Sequence, residues 1–368
     1  MKTALVYDRV NKWGGAERVL LALHELFPDA PLYTAVYNPE TAPWAKVFPK
    51  VIPSFLQQFP YAATRHDLYA PLMPLAFESF DFSDYDLVVS VTSEAAKGII
   101  TKYGTRHICY CLTPTRYLWS GYKDYFHTPL RRTVSAPLVA YLRHWDKIAA
   151  HRPDVMVGIS KNVAGRIKKH YGREVEIVYP PVQKLKTQMS KVKTTTQKLK
   201  LSDYFLVVSR LVPYKRVDLV IETFNQLRRP LVVVGTGSEE GKLKRMAGGN
   251  IQFVGYVGDE GLAEYYANCR ALIFPQEEDF GIVSIEAQSF GKPVIAHKAG
   301  GALETIVDGK TGLFFDAQTP EALKRALEKF TKMRFDEREC RENAGKFSKK
   351  KFLEEFDRLV EQVLMETA

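Results

Sequence analysis

The sequence lacks the long apolar segments that cross a membrane. No uninterrupted apolar run approaches the roughly 20 residues that a transmembrane helix needs. Residues Met1–Asp8 turn polar too early for a secretory signal peptide. Only four cysteines occur among 368 residues, and their spacing matches no zinc site. These absences favour a cytoplasmic protein in a reducing environment.

Length and composition favour two domains. With 46% hydrophobic and 26% charged residues, the chain has the composition of an ordinary globular protein. A chain of 368 residues exceeds what one hydrophobic core usually serves. We therefore expect two domains.

Positive charge is concentrated in the first half of the chain. Residues 1–182 hold 22 Lys and Arg against 16 Asp and Glu, whereas residues 201–368 hold 24 against 26. Residues 183–200 hold six lysines and no acidic residue. A basic surface attracts polyanions, so one interpretation is peripheral association with an anionic membrane at the inner face of the cell, and the other is an ordinary solvated surface. Nucleic acid is not an expected partner, because no recognition motif accompanies the basic residues.

Short apolar runs alternate with helical patterns along the chain, which is typical of parallel sheets covered by helices. Residues 183–200 are rich in Lys, Thr and Gln, so they cannot build a core and are predicted to be a linker. Residues 1–182 and 201–347 are then the two α/β domains. The last segment, 348–368, is predicted to be a helix that packs back on the first domain. Its apolar stripe consists of Phe352, Phe356, Leu359, Val360 and Val363.

The densest group of candidate functional residues lies at 276–287. It follows an apolar run that ends near Pro275 and opens a predicted helix, and open α/β sheets bind ligands at such positions. The backbone amides near Gly281, Ile282 and Val283 suit an anionic ligand.

Two glutamates accompany this loop. Glu278 precedes the predicted helix, where its carboxylate can bind a sugar hydroxyl. Glu286 lies four residues after Ile282 and therefore on the same helix face, where it can accept hydrogen bonds from a ribose.

A basic loop, Ser209–Arg216, follows another apolar run. The planar guanidinium of Arg210 suits phosphate oxygens, and Lys215 supplies a movable point charge. Two cations at one edge of a crevice can neutralise a diphosphate leaving group, so no metal is expected. The alternative is that both are surface charges that cap a loop; the nearby glutamate pair favours the functional interpretation.

Together these segments resemble glycosyltransferase family 4, the retaining glycosyltransferases with a GT-B fold. Glu278 and Glu286, with seven residues between them, are similar to the family's paired-glutamate motif, and residues 209–216 resemble its phosphate-binding segment. Other similar segments are glycine-containing turns, at Val233–Gly237, Val254–Gly255–Tyr256, Ala299–Thr305 and Gly312–Leu313.

The resemblance implies a fold and a set of donor residues. The fold is α/β, with two Rossmann-like domains facing across a cleft, and the second domain binds a nucleotide sugar. Arg210, Lys215 and Glu278 are the implied catalytic residues. The implied donor-binding residues are Glu286, Phe280, Gly281, Ile282, Val283, Gly237, Gly255, Tyr256, Gly14 and Gly15.

Two segments of the first half carry the rest of the resemblance. Trp13–Arg18 is similar to the family's first loop, whose backbone approaches the donor phosphate or the acceptor; an ordinary strand-to-helix turn would need the same glycines. Tyr110–Trp119 resembles a segment of bacterial mannosyltransferases that build O-antigens and other surface polysaccharides. Arg116 and Tyr117 are its acceptor-side candidates, and Leu112 stands where many relatives carry a histidine.

The implied activity is transfer of a hexose, mannose from GDP-mannose, with retention at the anomeric carbon. The acceptor is a saccharide or a lipid-linked saccharide, and no cofactor is expected besides the nucleotide sugar. The alternatives are a UDP-sugar-dependent transferase, a sugar-nucleotide epimerase of the same fold, and an inactive partner subunit, which Leu112 keeps open.

Two further patterns have competing interpretations. Asp84-Tyr85-Asp86 matches the Asp-x-Asp metal motif of other transferases, but it directly precedes an apolar run, so we expect a turn. Residues 137–149 predict an amphipathic helix that could lie on a membrane. We expect its stripe, Leu138, Tyr141, Leu142, Trp145 and Ile148, to pack in the core.

Overall fold

The protein is described by a computed structural model that covers residues 1–183, 185 and 203–365. The chain forms two compact units: unit 1 comprises Met1–Pro181 and Lys349–Ala368, and unit 2 comprises Val182–Ser348. Of the predicted linker at 183–200, all residues except 183 and 185 lie outside the described residues.

Unit 1 contains a seven-stranded parallel sheet. Its strands are β1 (Thr3–Tyr7), β2 (Leu32–Thr34), β3 (Val51–Pro53), β4 (Leu87–Thr92), β5 (Arg106–Cys111), β6 (Val155–Gly158) and β7 (Glu176–Ile177). Their spatial order is β3-β2-β1-β4-β5-β6-β7. The order reverses between β1 and β4, so the loops that follow these two strands meet at the position where such sheets bind ligands.

Helices cover this sheet. They are α1 (Gly15–Leu26), α2 (Met73–Glu78), α3 (Tyr122–Tyr125), α4 (Pro129–Ala149) and α5 (Lys161–Tyr171), with 3-10 turns at Pro43–Val47, Phe55–Gln58, His66–Leu72 and Ala96–Gly98. Every residue of β4 is buried, including both faces of the strand. Burial on both faces explains why this strand is a nearly continuous apolar run in the sequence.

Unit 2 repeats the architecture with six parallel strands. They are β8 (Phe205–Val208), β9 (Leu231–Val234), β10 (Ile251–Gly255), β11 (Leu272–Phe274), β12 (Val294–His297) and β13 (Gly312–Phe315). Their spatial order is β10-β9-β8-β11-β12-β13. The reversal here falls between β8 and β11, which places the loops after these two strands side by side.

The helices of unit 2 cover both faces of its sheet. They are α6 (Val217–Leu227), α7 (Glu240–Met246), α8 (Asp259–Asn268), α9 (Ile282–Ser289), α10 (Ala302–Thr305), α11 (Pro320–Thr331) and α12 (Glu337–Gly345), with a 3-10 turn at Pro213–Lys215. Phe205 and Val207 of β8 belong to one buried cluster, and Leu206 belongs to the other. This alternation shows that β8 has a hydrophobic core on each side.

The last helix, α13 (Lys349–Met365), belongs to unit 1. The rings of Phe352 and Phe356 pack against Tyr110 of β5, with centroids 5.8 and 6.2 Å away. The Tyr110 hydroxyl donates a hydrogen bond to the carbonyl of Val178, 2.8 Å away. The apolar stripe of α13 therefore completes the core of the first unit.

The expectation that the stripe of residues 137–149 packs in the core is wrong for its outer part. Leu138, Tyr141 and Ile148 are 38%, 54% and 49% exposed, and the helix begins earlier, at Pro129. The buried side of α4 instead carries Asp146, whose Oδ1 lies 2.6 Å from the Lys97 ammonium nitrogen. Because this buried ion pair requires Asp146 to face inward, the helix turns much of its apolar stripe to solvent.

Candidate functional site

The two predicted donor loops lie next to each other at the reversal point of the unit 2 sheet. Ser209–Arg216 follows β8, and residues 276–281 follow β11, the strand beside it. Their functional side chains therefore meet at the carboxyl ends of these strands, where doubly wound sheets bind ligands.

Lys215 and Glu278 are brought into contact. The Lys215 ammonium donates a hydrogen bond to Oε1 of Glu278. Oε1 also accepts a longer hydrogen bond from the side-chain amide of Gln276, at 3.4 Å. The Lys215 residue is only 7% exposed, so its charge is mostly removed from water. A cation and a carboxylate held together in this way are suited to bind a phosphate and a sugar hydroxyl, respectively.

The loop that carries Glu278 rests directly on a glycine turn after β12. The amide of Gly301 donates a hydrogen bond to the carbonyl of Glu278 at 2.9 Å. A Cβ on Gly300 would lie 2.4 Å from that same carbonyl oxygen, and a Cβ on Gly301 would lie 2.3 Å from the carbonyl oxygen of Phe280. The absence of side chains here lets the two backbones touch. Phe280 is buried, with its ring 5.4 Å from that of Phe347.

The helix α9 begins where the sequence predicts. Gly281 precedes it in a left-handed conformation, with φ of 92°, which favours glycine. Ile282 and Val283 form its half-buried first residues. The start of α9 provides the amide groups that bind anions at helix N-termini.

The two glutamates of the paired motif have different surroundings. Glu286 lies inside α9 and is 2% exposed, and its Oε2 accepts a hydrogen bond from the hydroxyl of Tyr266 at 2.8 Å. Glu278 is half-buried and contacts Lys215. The role of Glu286 in holding a ribose stays a prediction.

Arg210 lies at the exposed edge of the same region. Its Nη2 donates a hydrogen bond to the hydroxyl of Tyr214 at 2.7 Å. The backbone beside it packs closely on the turn after β9, because a Cβ on Gly237 would lie 2.3 Å from the carbonyl oxygen of Leu211. The structure thus places Gly237 as a support of the Arg210 loop.

The predicted donor-binding turn at Gly255 and Tyr256 lies at the end of β10. Gly255 has a φ of 73°, and its carbonyl accepts a hydrogen bond from the amide of Gly235 at 2.7 Å. Tyr256 follows it and is 74% exposed. An exposed aromatic ring at this edge of the sheet has a face available for stacking.

In unit 1, Gly14 and Gly15 lie at the start of α1. Gly14 precedes the helix in extended conformation, and a Cβ there would lie 3.1 Å from Oε2 of Glu17. The buried Glu17 carboxylate accepts a hydrogen bond from the Tyr7 hydroxyl at 2.8 Å. A larger residue at Gly14 would press on this carboxylate.

The structure reveals a polar cluster in unit 1 that the sequence interpretation missed. The Asp8 carboxylate accepts hydrogen bonds from the hydroxyl of Thr92 at 2.9 Å, the amide of Ser93 at 2.6 Å and the amides of Ala95 and Ala96, each at 2.9 Å. Asp8 follows β1 and the other four residues lie at or after the end of β4. Polar residues directly after two apolar runs were the available signal, but only the strand order shows that these runs are neighbours.

Further polar side chains lie near Asp8. Arg9 forms an ion pair with Glu94, and the side-chain amide of Asn11 lies 3.2 Å from Nδ1 of His66. Burial, together with the positive charge of Arg9, lowers the pKa of His66 to about 4. His66 is therefore neutral at physiological pH.

The segment that contains Arg116 and Tyr117 is hydrogen-bonded to the buried carboxylate of Asp146. Asp146 accepts hydrogen bonds from Thr115 at 2.8 Å and from the indole of Trp119 at 2.7 Å. Both Arg116 and Tyr117 are half-buried. Burial, with the negative charge of Glu94 close by, raises the pKa of Tyr117 well above its usual value. The acceptor-side role of these residues stays a prediction.

Asp84 and Asp86 lie where the sequence predicts a turn before β4. The Asp86 carboxylate accepts a hydrogen bond from the backbone amide of Lys2 at 2.7 Å, and that of Asp84 lies 3.6 Å from the Lys2 ammonium. Within residues 1–183, 185 and 203–365, no three His, Cys, Asp or Glu side chains form a group suited to a metal ion.

The second half of the chain is similar in sequence to known glycosyltransferases. Residues 191–350 match the family model "Glycosyl transferases group 1". An uncharacterized glycosyltransferase of Methanocaldococcus jannaschii is 26% identical over 215 residues, which are 56% of this chain and 58% of the relative. Glycogen synthase of Xanthomonas campestris pv. campestris is 38% identical over 136 residues, which are 34% of this chain and 28% of the relative. The chain thus spans only part of the length of these curated relatives, 58% of the first and 28% of the second.

Solved structures match the chain over nearly its full length. Anabaena HepE in complex with UDP is similar with a TM-score of 0.72 and 20% identity, covering 98% of this chain and 100% of that one. Sucrose-phosphate synthase from Thermosynechococcus elongatus gives a TM-score of 0.75 at 16% identity and covers both chains completely. The two parallel-sheet α/β units have the fold of GT-B glycosyltransferases.

None of the helices in the described part of the chain combines the length and the apolar character needed to cross a bilayer.

Proposed function

We propose that the protein is a retaining glycosyltransferase that moves a hexose from a nucleotide sugar to a saccharide or lipid-linked saccharide acceptor. The observation that carries the proposal is the contact between Lys215 and Glu278 at the reversal point of the unit 2 sheet. The match to the glycosyl transferases group 1 family, which includes both residues, supports it.

The roles follow from charge. Arg210, Lys215 and the amides at the start of α9 stabilise the negative charge that develops on the departing diphosphate. Glu278 accepts hydrogen bonds from the hydroxyls of the transferred sugar, and Glu286 accepts one from the ribose. In binding a phosphate, Lys215 replaces its contact with Glu278, which leaves that carboxylate available to the sugar.

The transfer step breaks the bond between the anomeric carbon and the diphosphate oxygen. The acceptor oxygen forms its bond to the same face of the anomeric carbon, and its proton passes to the leaving diphosphate. The positive charge that develops on the sugar ring resembles that of glycoside hydrolysis, so donor groups near the ring must tolerate an oxocarbenium-like state. Neither a metal nor a further cofactor is assigned a role.

The proposed donor is GDP-mannose, because residues 110–119 resemble those of bacterial mannosyltransferases. A UDP-sugar is the second candidate, since HepE, which shares the fold, has been solved with UDP-glucose. Thermal unfolding with GDP, GDP-mannose, UDP and UDP-glucose separates the two, because a ligand that binds the native state raises its melting temperature. Stabilisation by the uridine compounds alone would overturn the GDP-mannose proposal.

The transfer activity is tested with Glu278→Ala and Arg210→Ala. Each should lower kcat/KM by about 100-fold or more, since each removes an interaction with charge that develops during transfer. Arg325→Ala is the matched control, because this arginine lies on α11 with a side chain that is 67% exposed. If both site variants keep full activity, the site is wrongly assigned.

Two other measurements address the remaining functions. Incubation of the donor without acceptor should leave the sugar unchanged; an epimerised sugar would identify an epimerase. Tight donor binding with no turnover over a broad acceptor panel would identify an inactive partner subunit, the reading that Leu112 keeps open.

A further inference from the structure

The outer side of α4 exposes a row of apolar side chains. Leu130 and Val134 are each 73% exposed, Tyr141 is 54% exposed and Ile148 is 49% exposed. Their spacings of four, seven and seven residues place all four on one side of an α-helix. A stripe that runs the length of a 21-residue helix is a continuous apolar surface rather than a set of isolated exposed residues.

The opposite side of α4 is the one that packs on unit 1. Val139 and Leu142 are each 4% exposed, and they belong to a small hydrophobic cluster. Asp146 lies on the same side, buried against Lys97. The orientation of the helix is therefore determined by a buried ion pair and a hydrophobic contact, so the outer stripe cannot turn inward without breaking both.

The charge carried by α4 at its surface has one sign. Residues 129–149 contain four Lys and Arg and a single acidic residue, Asp146, which is buried. Arg131 and Lys147 are exposed and flank the apolar stripe. Arg132 and Arg143 are half-buried, with their Nε atoms donating to the carbonyls of Phe126 and Leu118. The solvent side of the helix is therefore apolar in the middle and positive at its edges.

We propose that the outer face of α4, formed by Leu130, Val134, Tyr141 and Ile148, docks on an anionic lipid bilayer. Helices with an apolar face and a basic border lie in the plane of a membrane interface, where the apolar side chains enter the acyl boundary and the cations meet the lipid phosphates. A second copy of the chain is a poorer occupant, because its α4 would bring the same positive charges to the contact. The inference concerns only α4 and does not depend on the proposed transfer activity.

Vesicle co-sedimentation with the full chain tests the proposal, with no nucleotide sugar present. The protein should sediment with vesicles that contain roughly one third phosphatidylglycerol in phosphatidylcholine, and not with pure phosphatidylcholine. The triple variant Leu130→Gln, Val134→Gln, Tyr141→Gln should bind at least about tenfold more weakly, because it removes apolar groups that enter the bilayer. Glutamine is a good helix former, so α4 should persist, which circular dichroism checks.

The matched control makes the same kind of substitution elsewhere. Val47→Gln and Met246→Gln replace exposed apolar side chains, 51% and 37% exposed, outside α4. This double variant should bind as the parent protein does. The variant Arg131→Gln, Lys147→Gln should lose about fivefold in vesicle affinity for each charge removed and should show a weaker salt dependence.

Three results would overturn the proposal. The parent protein could fail to bind the anionic vesicles, or the triple variant could bind them as well as the parent does. In the third, the parent would sediment as a dimer in analytical ultracentrifugation and the triple variant as a monomer, while both proteins bound the anionic vesicles equally well. That outcome would make the outer face of α4 an interface between copies.

Discussion

The ammonium of Lys215 lies against the carboxylate of Glu278, a residue 63 positions later in the chain. The first residue ends a 3-10 turn after β8 and the second belongs to the loop after β11, and the two strands are neighbours in the sheet. Both side chains are largely shielded from water, with 9% and 20% of their side-chain surfaces exposed. The pair therefore holds opposite charges ready for a ligand that carries both an anion and hydroxyl groups.

A double-mutant cycle on this pair should show strong coupling. Lys215→Ala and Glu278→Ala should each destabilise the unliganded protein by about 1–3 kcal/mol, because each leaves a shielded charge without its partner. The loss of unfolding free energy in the double variant should be smaller than the sum of the two single losses by about 1 kcal/mol or more, as measured by urea unfolding.

The exposed pair Lys244 and Glu240 on α7 is the control for this cycle, since its side chains are 53% and 26% exposed. Its coupling should stay near 0.3–0.5 kcal/mol, roughly the value of surface pairs at this helical spacing. Equal coupling energies in the two cycles would show that Lys215 and Glu278 do not act as a pair.

Glu286 and Tyr266 should respond differently to conservative substitutions. Tyr266→Phe removes the donor of a buried hydrogen bond and should lower the free energy of unfolding by about 1–3 kcal/mol, with the carboxylate still present. Glu286→Gln should lower donor affinity by about tenfold, because a neutral amide binds ribose hydroxyls less strongly than a carboxylate does. Calorimetric titration with the nucleotide sugar measures this; an unchanged affinity in Glu286→Gln would remove Glu286 from the donor site.

Gly237→Ala should displace the Arg210 loop. The new Cβ would lie 2.3 Å from the carbonyl oxygen of Leu211, a backbone atom that cannot rotate away. We expect a loss of stability of about 1–3 kcal/mol and a parallel loss of donor affinity. Gly249→Ala is the control, because a Cβ there meets no atom within 4 Å. The prediction is wrong if both variants melt and bind the donor alike.

His107 should make the protein less stable in acid. Burial, together with the nearby charges of Arg173 and Arg152, lowers the pKa of His107 to about 3. Between pH 6.5 and 3 the unfolded chain binds a proton at His107 and the folded chain does not. Proton binding therefore favours the unfolded chain, and the free energy of unfolding falls as the pH drops below 6.5. At pH 5 the loss from His107 is roughly 2 kcal/mol.

The comparison of the parent with His107→Gln isolates this effect. The free energy of unfolding from urea titrations at pH 7 and pH 5 should fall less in the variant than in the parent. His66, whose pKa is also lowered by burial, titrates in both proteins and cancels in the comparison. Identical pH dependence in the two proteins would show that His107 is not held neutral by the fold.

Much of the molecule could be predicted from local patterns. The apolar runs at Phe205–Val208 and Leu272–Phe274 form β8 and β11, and the predicted helix after Gly281 begins at Ile282. The periodicity of apolar residues and the choice of turn-forming residues depend on neighbours a few positions apart, so both can be recognised in a single sequence. The same holds for the periodic stripe of α13.

Contacts between distant segments could not be predicted in this way. The cluster of Asp8 with the amides after β4 depends on β1 and β4 being neighbours. The outward turn of the α4 stripe depends on Asp146 meeting Lys97 inside unit 1. Periodicity shows that a helix has an apolar side, but it does not show which side another element covers.

The sequence by itself determined where the strands, helices and glycine turns lie and which residue types stand at the strand ends. The tertiary structure alone decided which of those ends became neighbours, and so which charges met: Lys215 with Glu278, and Lys97 with Asp146. The physical reason is the separation along the chain over which each effect acts. Backbone conformation responds to nearby residues, whereas the partner of a buried charge is determined by strand order and by the requirement that a charge removed from water be paired.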